Sequence, residues 1–229
     1  MGVKSYRQFC ALSRALDVIG DRWSLLIVRE LLISPSRYSD LQRALPGIAS
    51  NLLAQRLRTL EDDGVITSRA ESAPVSAKVY SLTAWGHALR GPLVEMARWG
   101  APLMMDGSGD DHTRGRWLVF AIMALYPEPR ELPDDAAFPA VRLRIDTDGD
   151  SLLLVAGDSG VHTSPATDDP EVDAVISGDS EAVFALLAGQ HTAPTAVSIT
   201  GNEDTLRRVR SLTSMALPAT QTRTPADHG

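Results

Sequence analysis

The chain has 229 residues, 44% of them hydrophobic, and a net charge of −7, which leaves room for two ordinary domains. Its single cysteine, Cys10, excludes an internal disulfide and any cysteine-rich zinc site. The longest apolar stretches, Leu25 to Val28 and Trp117 to Tyr126, are too short for about 30 Å of hydrocarbon. The N-terminus lacks a signal peptide's uninterrupted apolar core, so a cytoplasmic protein with no membrane segment is expected. The charge is unevenly divided. Residues 1–100 hold 13 Lys and Arg against 9 Asp and Glu, a balance of +4, and residues 101–229 hold 9 against 20, a balance of −11. A nucleic-acid partner, which needs a local cationic surface, therefore belongs to the first part.

In chain order, Phe9, Leu12, Leu16 and Ile19 mark a first helix that Gly20 interrupts. Asp21 can cap a second helix carrying Trp23, Ile27 and Leu31. Ser34-Pro35-Ser36 reads as a turn, Tyr38 to Leu45 as a short helix, and Pro46-Gly47 as the turn into the next helix. There Ile48, Leu52, Leu53, Leu57 and Leu60 form one apolar stripe, opposite Ser50, Asn51, Ala54, Gln55 and Arg58. Gly64 ends that helix as a C′ residue. Val65-Ile66-Thr67 and Lys78-Val79-Tyr80-Ser81-Leu82 are strands flanking a loop from Ala70 to Ala77 that contains Pro74. Helix, turn, helix and hairpin wing is a DNA-reading arrangement. The second helix enters the major groove, where Asn and Gln suit adenine and Arg suits guanine. Ser50, Asn51, Gln55 and Arg58 are the expected base contacts, and Ser36, Arg37 and Lys78 the expected phosphate contacts. Arg56 is expected to pair with Glu61 or another acid. Thr83 can cap a last helix running to about Met105 and kinked at Pro92. Its Trp85, Leu89, Leu93, Met96, Trp99 and Leu103 suit packing against a second subunit.

Residues 106–113 are polar and glycine-bearing, a linker. Beyond them, Arg116 to Tyr126 suits a buried helix, although its centre could also be strand. Val141 to Ile145 and Ser151 to Ala156 are strands joined at Asp148-Gly149, and Val161 to Thr163 follows a turn at Gly157 to Gly160. Val172 to Ile176 is a strand, Asp179 to Leu187 a helix, Val197 to Thr200 a strand and Asn202 to Leu212 a helix. The fold class expected is α+β: a winged helix-turn-helix domain over 1–105, a linker over 106–113, a separate α+β domain over 114–217, and a disordered tail over 218–229.

Other signals carry less. Gly157-Asp158-Ser159-Gly160 copies a protease nucleophile loop without its His and Asp context, and turn chemistry explains it better. Asp146 to Asp150 hints at a calcium loop, but the glycine comes early and Gly157 stands where the bidentate Glu belongs. His87, His112, His162, His191 and His228 are too scattered to pair as ligands, and no phosphate loop appears. No catalytic residue, metal or cofactor is expected. Trp117, Phe120, Met123 and Phe138 are either core or the wall of an effector pocket.

Residues 6–100 resemble the HxlR family of winged helix-turn-helix transcription regulators. The resemblance rests on Cys10, Leu16 to Ile27 with its Gly-Asp-Arg-Trp centre, Arg37 to Leu41, Pro46-Gly47-Ile48, Leu53 to Leu57 and Tyr80 to Thr83. Two departures are Ala49, where the family usually has a serine N-cap, and Ala11, where a proline is common. With Ala49 uncapped, Ser50 could cap the reading helix one residue later. The resemblance implies a homodimer on a palindromic operator in double-stranded DNA. It also implies that Cys10 could sense oxidants or electrophiles, with Arg7 or Arg14 lowering its pKa. Residues 173–189 and 197–206 resemble the sterol-carrier-protein type of domain, which implies a cavity for a small hydrophobic effector. A carrier or enzyme-like second domain, with the winged helix used for assembly, is the competing class.

Overall fold

Two units make up the chain, Met1–Leu93 and Val94–Gly229, and the computed structural model describes residues 5–70, 78–104, 107–134, 136–167, 171–190 and 196–216. The greater part of the expected wing loop and the expected C-terminal tail lie outside these residues, as do His191 and His228.

The first unit runs α1 (Ala11–Ile19), α2 (Ser24–Ile33), β1 (Ser36–Arg37), α3 (Tyr38–Ala44), α4 (Ser50–Asp62), β2 (Ile66–Ala70), β3 (Lys78–Leu82), α5 (Ala84–His87) and the start of α6 (Arg90–Gly100). Its core gathers Ile27, Val28 and Leu31 of α2, Leu41 of α3, Leu53, Leu57 and Leu60 of α4, and Ile66 and Leu82 of the sheet, all buried. Gly64 takes φ +74, and the Gly64 and Val65 amides donate to the Glu61 and Leu60 carbonyls. This closes α4 and feeds the buried Val65 into β2.

Three expectations are corrected. Ser36-Arg37 is a strand, antiparallel to β3 with Ser36 opposite Tyr80, so the sheet order is β1-β3-β2. The last helix is divided: Thr83 does cap it, accepting from the Gly86 amide, but α5 ends before α6 begins. Pro92 is the third residue of α6, within the first turn, where amides have no intrahelical acceptor. It therefore opens a helix instead of kinking one. Lastly, α1 begins at Ala11, so Phe9 lies ahead of the helix it was expected to mark; Phe9, Leu12 and Leu16 are exposed, and Ser13 is the helix's buried residue.

The second unit holds the rest of α6, a 3-10 turn at Ala101–Met104, a second at Gly115–Trp117, and α7 (Leu118–Leu125). A third 3-10 turn at Pro129–Glu131 precedes β4 (Val141–Thr147), β5 (Asp150–Gly157), β6 (Gly160–Pro165), β7 (Ala174–Gly178), α8 (Ser180–Leu187), β8 (Val197–Thr200) and α9 (Glu203–Ser214). The sheet order is β6-β5-β4-β7-β8, antiparallel except for the β4–β7 pair. Asp148 and Gly149 both have positive φ, as a two-residue hairpin turn requires. Gly157 pairs with Gly160 across a second tight hairpin, so the Gly-Asp-Ser-Gly sequence is a turn.

α7 is a helix with every residue buried. Alternate residues of β4, β5 and β7, among them Leu143, Ile145, Leu154 and Ile176, are buried too, which marks one sheet face as core. The buried Tyr126 hydroxyl donates to the Leu187 carbonyl at 3.2 Å, and burial raises its pKa. Asp179 and Asn202 cap α8 and α9 by accepting from Ala182 and Thr205 amides. The stretch expected as a linker is tied to this unit. The Ser108 amide and hydroxyl both donate to Glu181, at 3.1 and 2.8 Å. No helix among the described residues is long and apolar enough to cross a membrane.

Candidate nucleic-acid interface

α4 begins at Ser50, with Ala49 as an N-cap that has no side-chain hydrogen bond, so Ser50 is not the cap. The start is held from outside. The Tyr38 hydroxyl donates to the Ser50 carbonyl at 2.7 Å, and the Gln42 side-chain amide to the Ile48 carbonyl at 2.8 Å. α3 thereby fixes the turn before the reading helix. Arg56 is turned inward, 3.1 Å from Asp21, and Asp21 also accepts from the Trp23 and Ser24 amides at the start of α2. The Gly-Asp-Arg-Trp signature thus contributes Asp21 as a joint between α2 and α4.

Asn51, Gln55 and Arg58 are exposed at spacings of four and three residues, so they share one face of α4. Asn51 accepts locally from the Leu52 amide; Gln55 and Arg58 have no partner among the described residues. Ser50 is exposed at the helix start.

The expected phosphate contacts fare differently. Ser36 is 7% exposed and its hydroxyl donates to the Ser34 carbonyl, so its side chain is withdrawn from the surface. Lys78 forms an ion pair with Glu61 at 3.0 Å and lies over the Tyr80 ring. The Ser68 hydroxyl and Lys78 hold Glu61 below its ordinary pKa, and the bond to Glu61 raises that of Lys78. Lys78 therefore links β3 to α4. Arg37 is half-buried and opposite Val79, and Val79 is opposite Arg69 on its other side. Laterally paired residues project from the same sheet face, which places Arg37 and Arg69 on one face with Val79 between them. Arg69 was not placed on a strand by sequence reasoning, because β2 extends to Ala70, beyond the apolar residues that revealed it.

Cys10 is exposed at the N-cap position of α1. The Ser13 amide and hydroxyl and the Leu12 amide lower its pKa. The cause is the helix terminus and not the arginines; Arg14 lies 3.6 Å from Asp17.

In the second unit a cleft of about 200 Å³ is lined by Trp117 together with Met104, Leu118, Glu181 and Phe184. Of the expected pocket residues it includes Trp117 alone. Phe120, Met123 and Phe138 are buried, and Phe138 stacks edge-on against Tyr126; these three are core. Among the described residues no cluster of His, Cys, Asp and Glu could hold a metal ion.

The profile of the HxlR-like helix-turn-helix family matches residues 18–108. The HTH-type transcriptional regulators YtcD and YvaP of Bacillus subtilis (strain 168) are 41% and 38% identical over 87 residues, which is 38% of this chain and 68% and 80% of theirs. A crystal structure of the regulator ytcD is 33% identical, covering 42% of this chain and 99% of that one, with a TM-score of 0.40. The chain belongs to the HxlR-like helix-turn-helix family.

Proposed function

We propose that this protein is a homodimeric, sequence-specific transcription regulator that inserts α4 into the DNA major groove. The observation that carries this is the exposed Gln55 and Arg58, without a partner among the described residues, on the face of α4 opposite its buried leucines. Asn51, Gln55 and Arg58 read bases, and Ser50 sits at the helix start beside the backbone. Arg37 and Arg69 contact phosphate, while Lys78 holds the wing to α4. A second copy covers the exposed Phe9, the exposed Leu12 and Leu16 of α1, and the exposed Met96 and Trp99 of α6, since apolar surface of this kind marks an interaction site. The palindromic operator follows from the two-fold axis.

The acidic second unit binds a small hydrophobic molecule, a reading supported by its sterol-carrier-like pattern and by the cleft on Trp117. Such a ligand regulates only through different affinities for two arrangements of the protein. Gel-shift titration on the DNA upstream of the protein's own gene, with and without cell extract, tests both parts. A preferred site that extract releases is expected. Equal, salt-sensitive binding to any DNA would instead favour a carrier or enzyme-like protein with a winged helix used for assembly. A second reading, thiol sensing, is favoured by the exposure and lowered pKa of Cys10. Operator binding unchanged by peroxide would remove it.

A further inference from the structure

The cleft of the second unit has a size and a charge pattern that together define a ligand class. We infer that it takes a small apolar amine: a body of about one ring, carrying a cationic nitrogen toward Glu181. This rests on the reading of the second unit as a ligand-binding unit, and it narrows the ligand.

Size comes first. About 200 Å³ lies below the ~300–1,000 Å³ of pockets for drug-sized ligands and near the ~150 Å³ in which an engineered cavity holds benzene. A sterol's fused rings do not fit; one ring with a short chain does. Met104, Trp117, Leu118 and Phe184 form the apolar wall.

Charge decides the head group. Both Ser108 donors go to the same oxygen of Glu181, so the other oxygen has no partner among the described residues. Those bonds also lower the Glu181 pKa. Asp111 lines the same cleft. A helix N-terminus ordinarily favours an anion, but at α8 that demand is already met. Asp179 caps the helix, Glu181 occupies its first turn, and the Ser180 hydroxyl donates to Asp148. The Arg114 guanidinium lies over the Trp117 ring, 5.9 Å from its centroid; it lines the cleft with His112, against the two carboxylates of Asp111 and Glu181. An anionic ligand would add to the crowd of negative charge. An amine relieves it and donates to Glu181.

The test titrates the full chain by calorimetry with 3-phenylpropylamine, with isosteric 3-phenylpropionate, and with dehydroergosterol read by energy transfer from tryptophan. The amine is expected to bind once per chain and about tenfold more tightly than the acid, the preference one charge-assisted hydrogen bond supplies. Glu181→Gln should erase the preference. Met104→Trp, at a partly exposed position, should fill the cleft and abolish amine binding. Equal affinity for acid and amine, or amine binding untouched by Met104→Trp, would overturn the inference. Sterol binding without amine binding overturns it too, but leaves the ligand-binding reading standing. With no binding by any probe the inference falls, and the broader reading then depends on operator release by extract.

Discussion

Arg58, Arg69 and Lys78 are all cationic residues of the winged unit, yet their surroundings assign them different work. Arg58 is on the reading face without a partner among the described residues, so Arg58→Ala should weaken binding to the true operator by about 1–3 kcal/mol and relax its sequence preference. Arg69→Ala should weaken binding to all sequences alike and reduce the salt slope by about one unit. Equal effects of both substitutions on specific and random DNA would contradict the division. Gly86 makes a different kind of demand: a Cβ there would lie 2.1 Å from the Val65 carbonyl oxygen. Gly86→Ala should therefore lower the thermal midpoint, because α5 must move away from the start of β2. The exposed face of α4 that carries Asn51, Gln55 and Arg58 was legible in the sequence, since a helix's buried and exposed faces repeat locally. The fates of Ser36 and Lys78 were not. Both depend on strand pairing and on partners far along the chain, Tyr80 for Ser36 and Glu61 for Lys78.

Between elements, the Glu61–Lys78–Ser68 cluster joins α4 to both wing strands. Glu61 has a folded pKa below its ordinary 4.5. Its contribution to stability is therefore present above that value and lost as pH falls through the folded pKa. Lys78 is shifted upward from 10.5, so its contribution is present below that value and lost above the folded pKa. Unfolding followed against pH should show an acid limb that Glu61→Gln flattens; an identical limb in the variant would show that the cluster contributes nothing. In the second unit, Asp179→Ala removes the cap of α8 and should cost about 1 kcal/mol in denaturant unfolding. Most elements were readable from periodicity and turn signals, β8 and the two late helices among them. Two kinds were not. β1 has two residues and exists through pairing with β3, and the break between α5 and α6 was mistaken for a kink because a proline's effect depends on its position within a helix. The cleft was illegible for a related reason, since its wall joins residues near 104–118 to residues 180–184.

At the scale of the whole molecule, the charge division of +4 and −11 limits where DNA can bind: the first unit attracts phosphate and the second repels it. The exposed apolar residues of α1 and of α6 give the proposed dimer a physical cause. Leu12→Glu should place a charge in that interface and yield a monomer by sedimentation, with operator affinity reduced because each half-site then binds alone. A monomeric wild-type chain at micromolar concentration would contradict the dimer. The most direct test of the central claim is a hydroxyl-radical footprint of the full chain on the DNA upstream of its own gene. Two protected half-sites with centres about 34–36 Å apart, one helical turn, both lost with Arg58→Ala, are predicted. Protection spread evenly along the duplex and unchanged by Arg58→Ala would contradict it.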